Sequence, residues 1–201
     1  MPETNPPARQ GFAAGATDRM PLPADSAMSE AQRAAARALT EGPRKGVYGP
    51  FLPLLRSPVL LERMAKVGEY LRFESVLDGR LRELVTCAAA RHVGNQFEWV
   101  MHAPLARAAG VAESTLAALR AGARPLGLPA DEETALDFTT ELLHTNGTSD
   151  TTYERAIGVF GEQGVVELTT LIGYFVAVSW LMNVARTPAQ RAGDGLDAFP
   201  Q

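Results

Sequence analysis

The chain has 201 residues, with 46% apolar and 21% charged residues and a net charge of −4. That size suits one domain with an arm, or two small domains, and the acidic balance excludes a dedicated nucleic-acid binder, which needs a basic face. A single cysteine, Cys87, excludes an intrachain disulfide and a cysteine-based zinc site. With no basic segment leading into an apolar one near Met1, the expected setting is reducing and cytoplasmic.

Residues 1–28 are rich in proline and glycine and hold no helical or strand period, so they read as a flexible arm pinned near Met20–Leu22. Ser29 and Gln32 have the spacing of a capping box, and a helix runs from there to Thr40, stopped by Gly42-Pro43. Residues 42–58, GPRKGVYGPFLPLLRSP, read as a loop whose apolar load packs it onto the body. Ser57-Pro58 opens a second helix through Leu61, Met64, Gly68 and Leu71. Asp78 caps a third, broken at Gly94, and Asn95 caps a fourth that Gly110 closes after Ala109. A short helix spans Ala112 to Arg120. Another runs from Asp131 to Asn146-Gly147. Ser149 caps one through Phe160, and the last covers Gln163 to Ala185.

The stretch from Leu168 to Ala185 is free of charge over 18 positions, which meets the length of a membrane span. Thr169, Thr170, Ser179 and Asn183 dilute it, and the rest of the chain is amphipathic, so it reads as the buried centre of a helical domain and no membrane partner is expected. The fold class is all-α, with about eight helices around that apolar C-terminal one, in a single domain over 29–190 and a tail over 191–201.

The residues that carry chemistry are few. Glu98 and His102 stand four apart on one helix face, where a carboxylate orients an imidazole and favours its charged form. Such a pair moves protons near neutral pH. The alternative is structural: Asn95 and Glu98 also have capping-box spacing, which would turn the Glu98 side chain to the backbone. If Gly94 lets the chain turn, Glu83 lies opposite His102; otherwise it pairs with Arg80 or Arg82.

The segment RELVTCAAARHVGNQFEWVMHAPLARAAGV, residues 82–111, resembles the core motif of the carboxymuconolactone decarboxylase family within the alkylhydroperoxidase D-like superfamily. The stretches GPFLPLLRSPVLLERMAKVGEYLRFES and FGEQGVVELTTLIGYFVAVSWLMNVARTP extend the resemblance to about residues 20–190. Where the peroxidase branch places Glu, Cys, Cys and His, this chain has Glu83, Asn95, Glu98 and His102. Thiol peroxidase chemistry needs an attacking thiolate and a resolving thiol, so the departure excludes a cysteine peroxidase. Glu98 before His102 is similar to the decarboxylase-type branch.

The resemblance implies a lyase of aromatic catabolism that needs no cofactor and no metal. It would act on a lactone or related carboxylated ring by proton transfer through His102, Glu98 and Glu83. It also implies a homo-oligomer, a trimer or hexamer. An isomerase, dehydratase or cyclase using the same pair, or a non-catalytic helical oligomer binding a small ligand, are the alternatives. Tyr48, Phe51, Asn95, Trp99, Tyr174 and Asn183 are the candidate pocket residues, with core packing the alternative for the aromatics. Arg44, Lys45 and Arg56 are candidate cations for an anionic substrate.

Overall fold

The computed structural model describes Gln10, residues 17–189 and residues 195–196. Among them are eight α-helices, one 3-10 turn at Asp25–Ala27 and no strand. The helices are α1 (Glu30–Glu41), α2 (Phe51–Leu54), α3 (Pro58–Phe73), α4 (Gly79–His92), α5 (Gln96–Ala108), α6 (Glu113–Arg120), α7 (Ala130–Thr145) and α8 (Asp150–Ala185).

The ends follow from side chains that satisfy orphan backbone groups. Ser29 and Gln32 form the reciprocal capping box at α1. Asp78 Oδ1 accepts from the Arg80 N–H at 2.9 Å, and Ser149 caps α8. Pro58 opens α3, where its missing N–H costs nothing. Asn146 and Arg186 take left-handed backbone at the ends of α7 and α8.

One expectation is corrected here and another is borne out. Residues 51–54, read as loop, form the single helical turn α2; four buried side chains hold it against the core in spite of Pro53. The two helices expected over 149–160 and 163–185 meet at Gly161, whose φ of 68° and ψ of 176° are non-helical and which only glycine adopts readily, so α8 is two helical segments joined at a kink.

The apolar half of α8 lies at the centre. α8 is long and apolar enough to cross a membrane, but 61% of its apolar window is buried within the fold, as in a core helix. Leu168, Leu171, Ile172, Phe175 and Val178 meet Leu81, Val85 and Ala89 of α4 and Ala135 and Phe138 of α7. The other face of α4, with Leu84, Cys87 and Ala90, packs on Trp99, Val100 and Ala103 of α5. α4 is therefore sandwiched, and the α4–α5 pair is clamped against α8. α1, α2 and α3 close one side through Leu39, Phe51, Leu54, Leu55 and Leu61.

The described parts of the arm and tail are docked on the body. Arg56 donates to the carbonyls of Met20 at 3.1 Å and Pro21 at 2.6 Å. Gln10 donates to the Gly94 carbonyl and accepts from the Gln96 N–H. The Gln96 amide bonds both backbone groups of Leu196. The rest of the arm and tail lies outside the described residues.

Candidate functional site

The site begins at the turn between α4 and α5. Gly94, with φ of 64°, reverses the chain, and the Asn95 N–H returns to the Ala90 carbonyl at 2.9 Å. This folds α5 back along α4 and brings Glu83 opposite His102. Asn95 then caps α5: its side-chain oxygen accepts from the Glu98 N–H at 2.9 Å. The cap is supplied by Asn95 alone, so the Glu98 carboxylate is not spent on the backbone.

That carboxylate turns along the helix to His102. Glu98 Oε2 lies 3.2 Å from His102 Nε2, and Glu83 Oε2 lies 2.6 Å from His102 Nδ1. Both ring nitrogens are held by carboxylates, and the ring stands edge-on to Phe175, with centroids 5.0 Å apart. Glu98 and His102 are buried. Burial alone would discharge the ring. The hydrogen bonds and charges of Glu83 and Glu98 outweigh it and raise the imidazole pKa to about 9. His102 is therefore an imidazolium at neutral pH. Glu83 makes this pair rather than one with its neighbours, because Arg80 is taken by Asp131 and Glu132 and Arg82 turns to the Ser75 carbonyl.

A small cavity of about 40 Å³ opens onto this group. Glu98 and His102 line it; Glu83 does not, and stands behind the ring. Of the candidate pocket residues, Tyr48, Phe51 and Tyr174 line it. Burial pushes the Tyr174 phenol up to about 12, with Arg44 and Arg72 pulling it down and Glu98 pushing it up.

Asn95, Trp99 and Asn183 lie elsewhere. Asn95 Nδ2 donates to Asn183 Oδ1 at 2.7 Å and to the Ser179 carbonyl, while Asn183 Nδ2 donates to the Val93 carbonyl at 2.8 Å. These amides stitch the α4–α5 turn to α8 and satisfy one another away from the cavity. Trp99 follows Glu98 by one residue, points about 100° round the helix, and is buried between α4 and α5. Of the candidate cations, Arg44 lines the cavity. Lys45 is exposed and reaches the Glu41 carbonyl, and Arg56 is occupied by the arm.

Arg72 is a cavity residue that the sequence reading missed. Its signal was available: it stands four residues after Gly68, on the face of α3 that lacks a side chain there. Cys87 is fully buried, and that burial drives its thiol pKa well up, so it is inert. No cluster of three or more His, Cys, Asp or Glu side chains arranged to hold a metal ion is found among the described residues.

The model of the carboxymuconolactone decarboxylase family matches residues 58–141, a stretch holding Glu83, Glu98 and His102. Over that stretch the chain is similar to this family. Two solved structures are similar to it. One is a protein of unknown function from Agrobacterium tumefaciens, described as a candidate antioxidant defence protein AhpD. It is 18% identical, with a TM-score of 0.58, covering 70% of this chain and 96% of its own. The other, from Ralstonia eutropha, is an uncharacterized peroxidase-related protein with an alkylhydroperoxidase AhpD core. It is 15% identical, with a TM-score of 0.64, covering 88% of this chain and 95% of its own. At these identities the likeness is one of fold, the all-helical AhpD-like arrangement. No curated protein matches the sequence. The family and the two structures bear out the recognised resemblance and the all-α class.

Proposed function

We propose that this protein, similar over residues 58–141 to the carboxymuconolactone decarboxylase family, is a cofactor-independent lyase that acts on a lactone or related carboxylated ring by proton transfer. The observation that carries the reading is His102 held between Glu83 and Glu98, with its Glu98 side facing a cavity. Glu83 on Nδ1 fixes the ring plane and sits away from the cavity, so it is the positioning residue. Glu98 and Nε2 face the substrate and carry the proton.

In the step, the bond from the ring carbon to the carboxylate breaks and carbon dioxide leaves. The electron pair passes into the lactone as a dienolate, next to the imidazolium, which stabilises the growing negative charge. The carbon then takes one proton from His102 Nε2, directly or through Glu98, and solvent restores it. No electrons are gained or lost overall.

Cysteine peroxidase chemistry fits poorly with this site. Asn95 and Glu98 stand where that branch has thiols, and Cys87 is sealed in the core. The reading extends to a cytoplasmic homo-oligomer, a trimer or hexamer, engaging neither nucleic acid nor membrane, with a role in aromatic catabolism. Support for assembly comes from Val166, Trp180 and Val184, each more than half exposed along one side of α8.

The test follows carboxylated and uncarboxylated lactones by proton NMR in deuterium oxide, with wild type, His102→Asn and Glu98→Gln. Loss of carbon dioxide with deuterium uptake is expected, and each variant should lose about 10²–10⁴-fold in rate. Deuterium uptake without carbon dioxide loss would move the assignment to an isomerase. Turnover that survives both substitutions would remove the site.

A further inference from the structure

We propose that Arg44 and Arg72 form an oxyanion subsite in the cavity that Glu98 and His102 also line, and that it takes the carboxylate of a small organic acid. The proposal rests on the proton-transfer reading for which carbon of the bound acid reacts; occupancy of the two arginines stands apart from it.

The two guanidinium groups come from different elements. Arg44 lies in the loop after α1, and Arg72 in the last turn of α3. The Arg44 side chain is only 7% exposed. Its Nη2 donates to the Ala65 carbonyl at 3.1 Å, the Phe51 ring lies 4.4 Å beneath it, and Glu69 is 3.7 Å from Nε, beyond hydrogen-bond reach. Arg72 makes no ion pair or hydrogen bond to any described residue and stacks on Phe73 at 5.2 Å. In both arginines Nε is buried without a hydrogen-bond partner among the described residues.

A buried guanidinium N–H without an acceptor is costly, and an anion relieves that cost. The Nε edge matters in particular. With one Nη it offers two parallel N–H groups, the fork that matches a carboxylate.

Charge and space agree. Among the residues that line the cavity, Glu98 and imidazolium His102 cancel and Arg44 with Arg72 add +2, so an anion meets a positive lining, with Glu83 behind the ring and Glu69 beside Arg44 balancing that charge from outside. This removes the conflict of placing an anionic substrate beside two carboxylates. The cavity of about 40 Å³ is the scale of one small planar group. Gly68 contributes by lacking a side chain: a Cβ there would lie 2.3 Å from Tyr174 Oη and 3.1 Å from Arg44 Nη2.

Formate is the probe, since it is a bare carboxylate of that size, and formamide is its neutral isostere. The protein is titrated with each at constant ionic strength, formate replacing chloride, while the His102 ring resonances and ligand line widths are followed. Wild type should bind formate saturably. Arg44→Met and Arg72→Met should each weaken binding about tenfold or more, Arg72→Lys less, and formamide should not saturate. Near-UV circular dichroism identifies any variant that fails to fold, and Arg72→Lys then carries the comparison. Absence of saturable formate binding to wild type, equal affinity in folded arginine variants, or formamide binding as tightly as formate would each overturn the subsite. Formate binding through both arginines without turnover of any lactone would sink the proton-transfer reading and leave the subsite standing.

Discussion

Asn95 caps the helix that carries Glu98, its side-chain oxygen accepting the Glu98 N–H at 2.9 Å. The same amide reaches α8 through Asn183 and Ser179. One buried side chain thus ends a helix, locks that helix to the core, and frees the next carboxylate for His102. Asn95→Ala should cost about 1–2 kcal/mol for the lost cap, and more for the partners left unpaired. Asn95→Asp should keep the cap but lose the donor to Asn183. Urea denaturation of both variants at neutral pH checks this, with Asp expected to lose at least as much as Ala, because its buried carboxylate would face the Asn183 and Ser179 oxygens.

The capping signals made most of this architecture legible before any coordinates. Ser29, Ser57-Pro58, Asp78, Asn95 and Ser149 each open a helix as their chemistry requires, and the spacing of Glu98 and His102 put the pair on one face. Other features depended on tertiary context. α2 is held helical by burial against sequence preference, since Gly and Pro crowd that region. The direction α5 faces decided that Trp99 and Asn95 lie off the cavity, and helical period alone does not tell which stripe meets the core and which meets a cleft. The spacing of Arg72 from Gly68 was outweighed by its place in the last turn of α3, where a basic residue is ordinarily a solvated one.

His102 sets a pH dependence with a definite sign. Its pKa rises from 6.5 to about 9 on folding, so the folded state holds the proton more tightly. The stability this adds is complete below about pH 6.5 and is lost as pH rises through about 9. The difference in melting temperature between wild type and His102→Gln should therefore narrow from pH 6.5 to pH 9.5, roughly the window set by those two values. A difference that stays constant or widens across that window would show that the ring is not held charged.

Glu167 should behave in the opposite sense. Burial opposes its ionisation, but hydrogen bonds from Ser75, Tyr70, Gln163 and the Val76 N–H hold its pKa down to about 2. The Tyr70 hydroxyl donates at 2.6 Å, and Gln163 and the Val76 N–H each donate at 2.8 Å. Its contribution is present above about pH 4.5 and lost as pH falls through about 2. Glu167→Gln should cost about 1–3 kcal/mol at neutral pH, because an amide turns a donor toward donors. Denaturation at pH 7 and near pH 3 should show that cost shrinking in acid.

Gly68 and Gly158 separate crowding from helix propensity. Both lie inside helices, where alanine is favoured over glycine by up to about 1 kcal/mol. At Gly158 nothing lies within 4 Å of a built Cβ, so Gly158→Ala should raise the melting temperature. At Gly68 the new methyl would meet Tyr174 Oη at 2.3 Å, and Tyr174 is buried, with little room to withdraw. Gly68→Ala should therefore lose about 1–3 kcal/mol in spite of its better propensity. It should also displace the phenol from beside Arg44, which the Tyr174 near-ultraviolet signal reports. If Gly68→Ala stabilised the protein as Gly158→Ala does, the close approach of α3 and α8 at Tyr174 would be wrong, and with it the part of the cavity wall that Tyr174 forms.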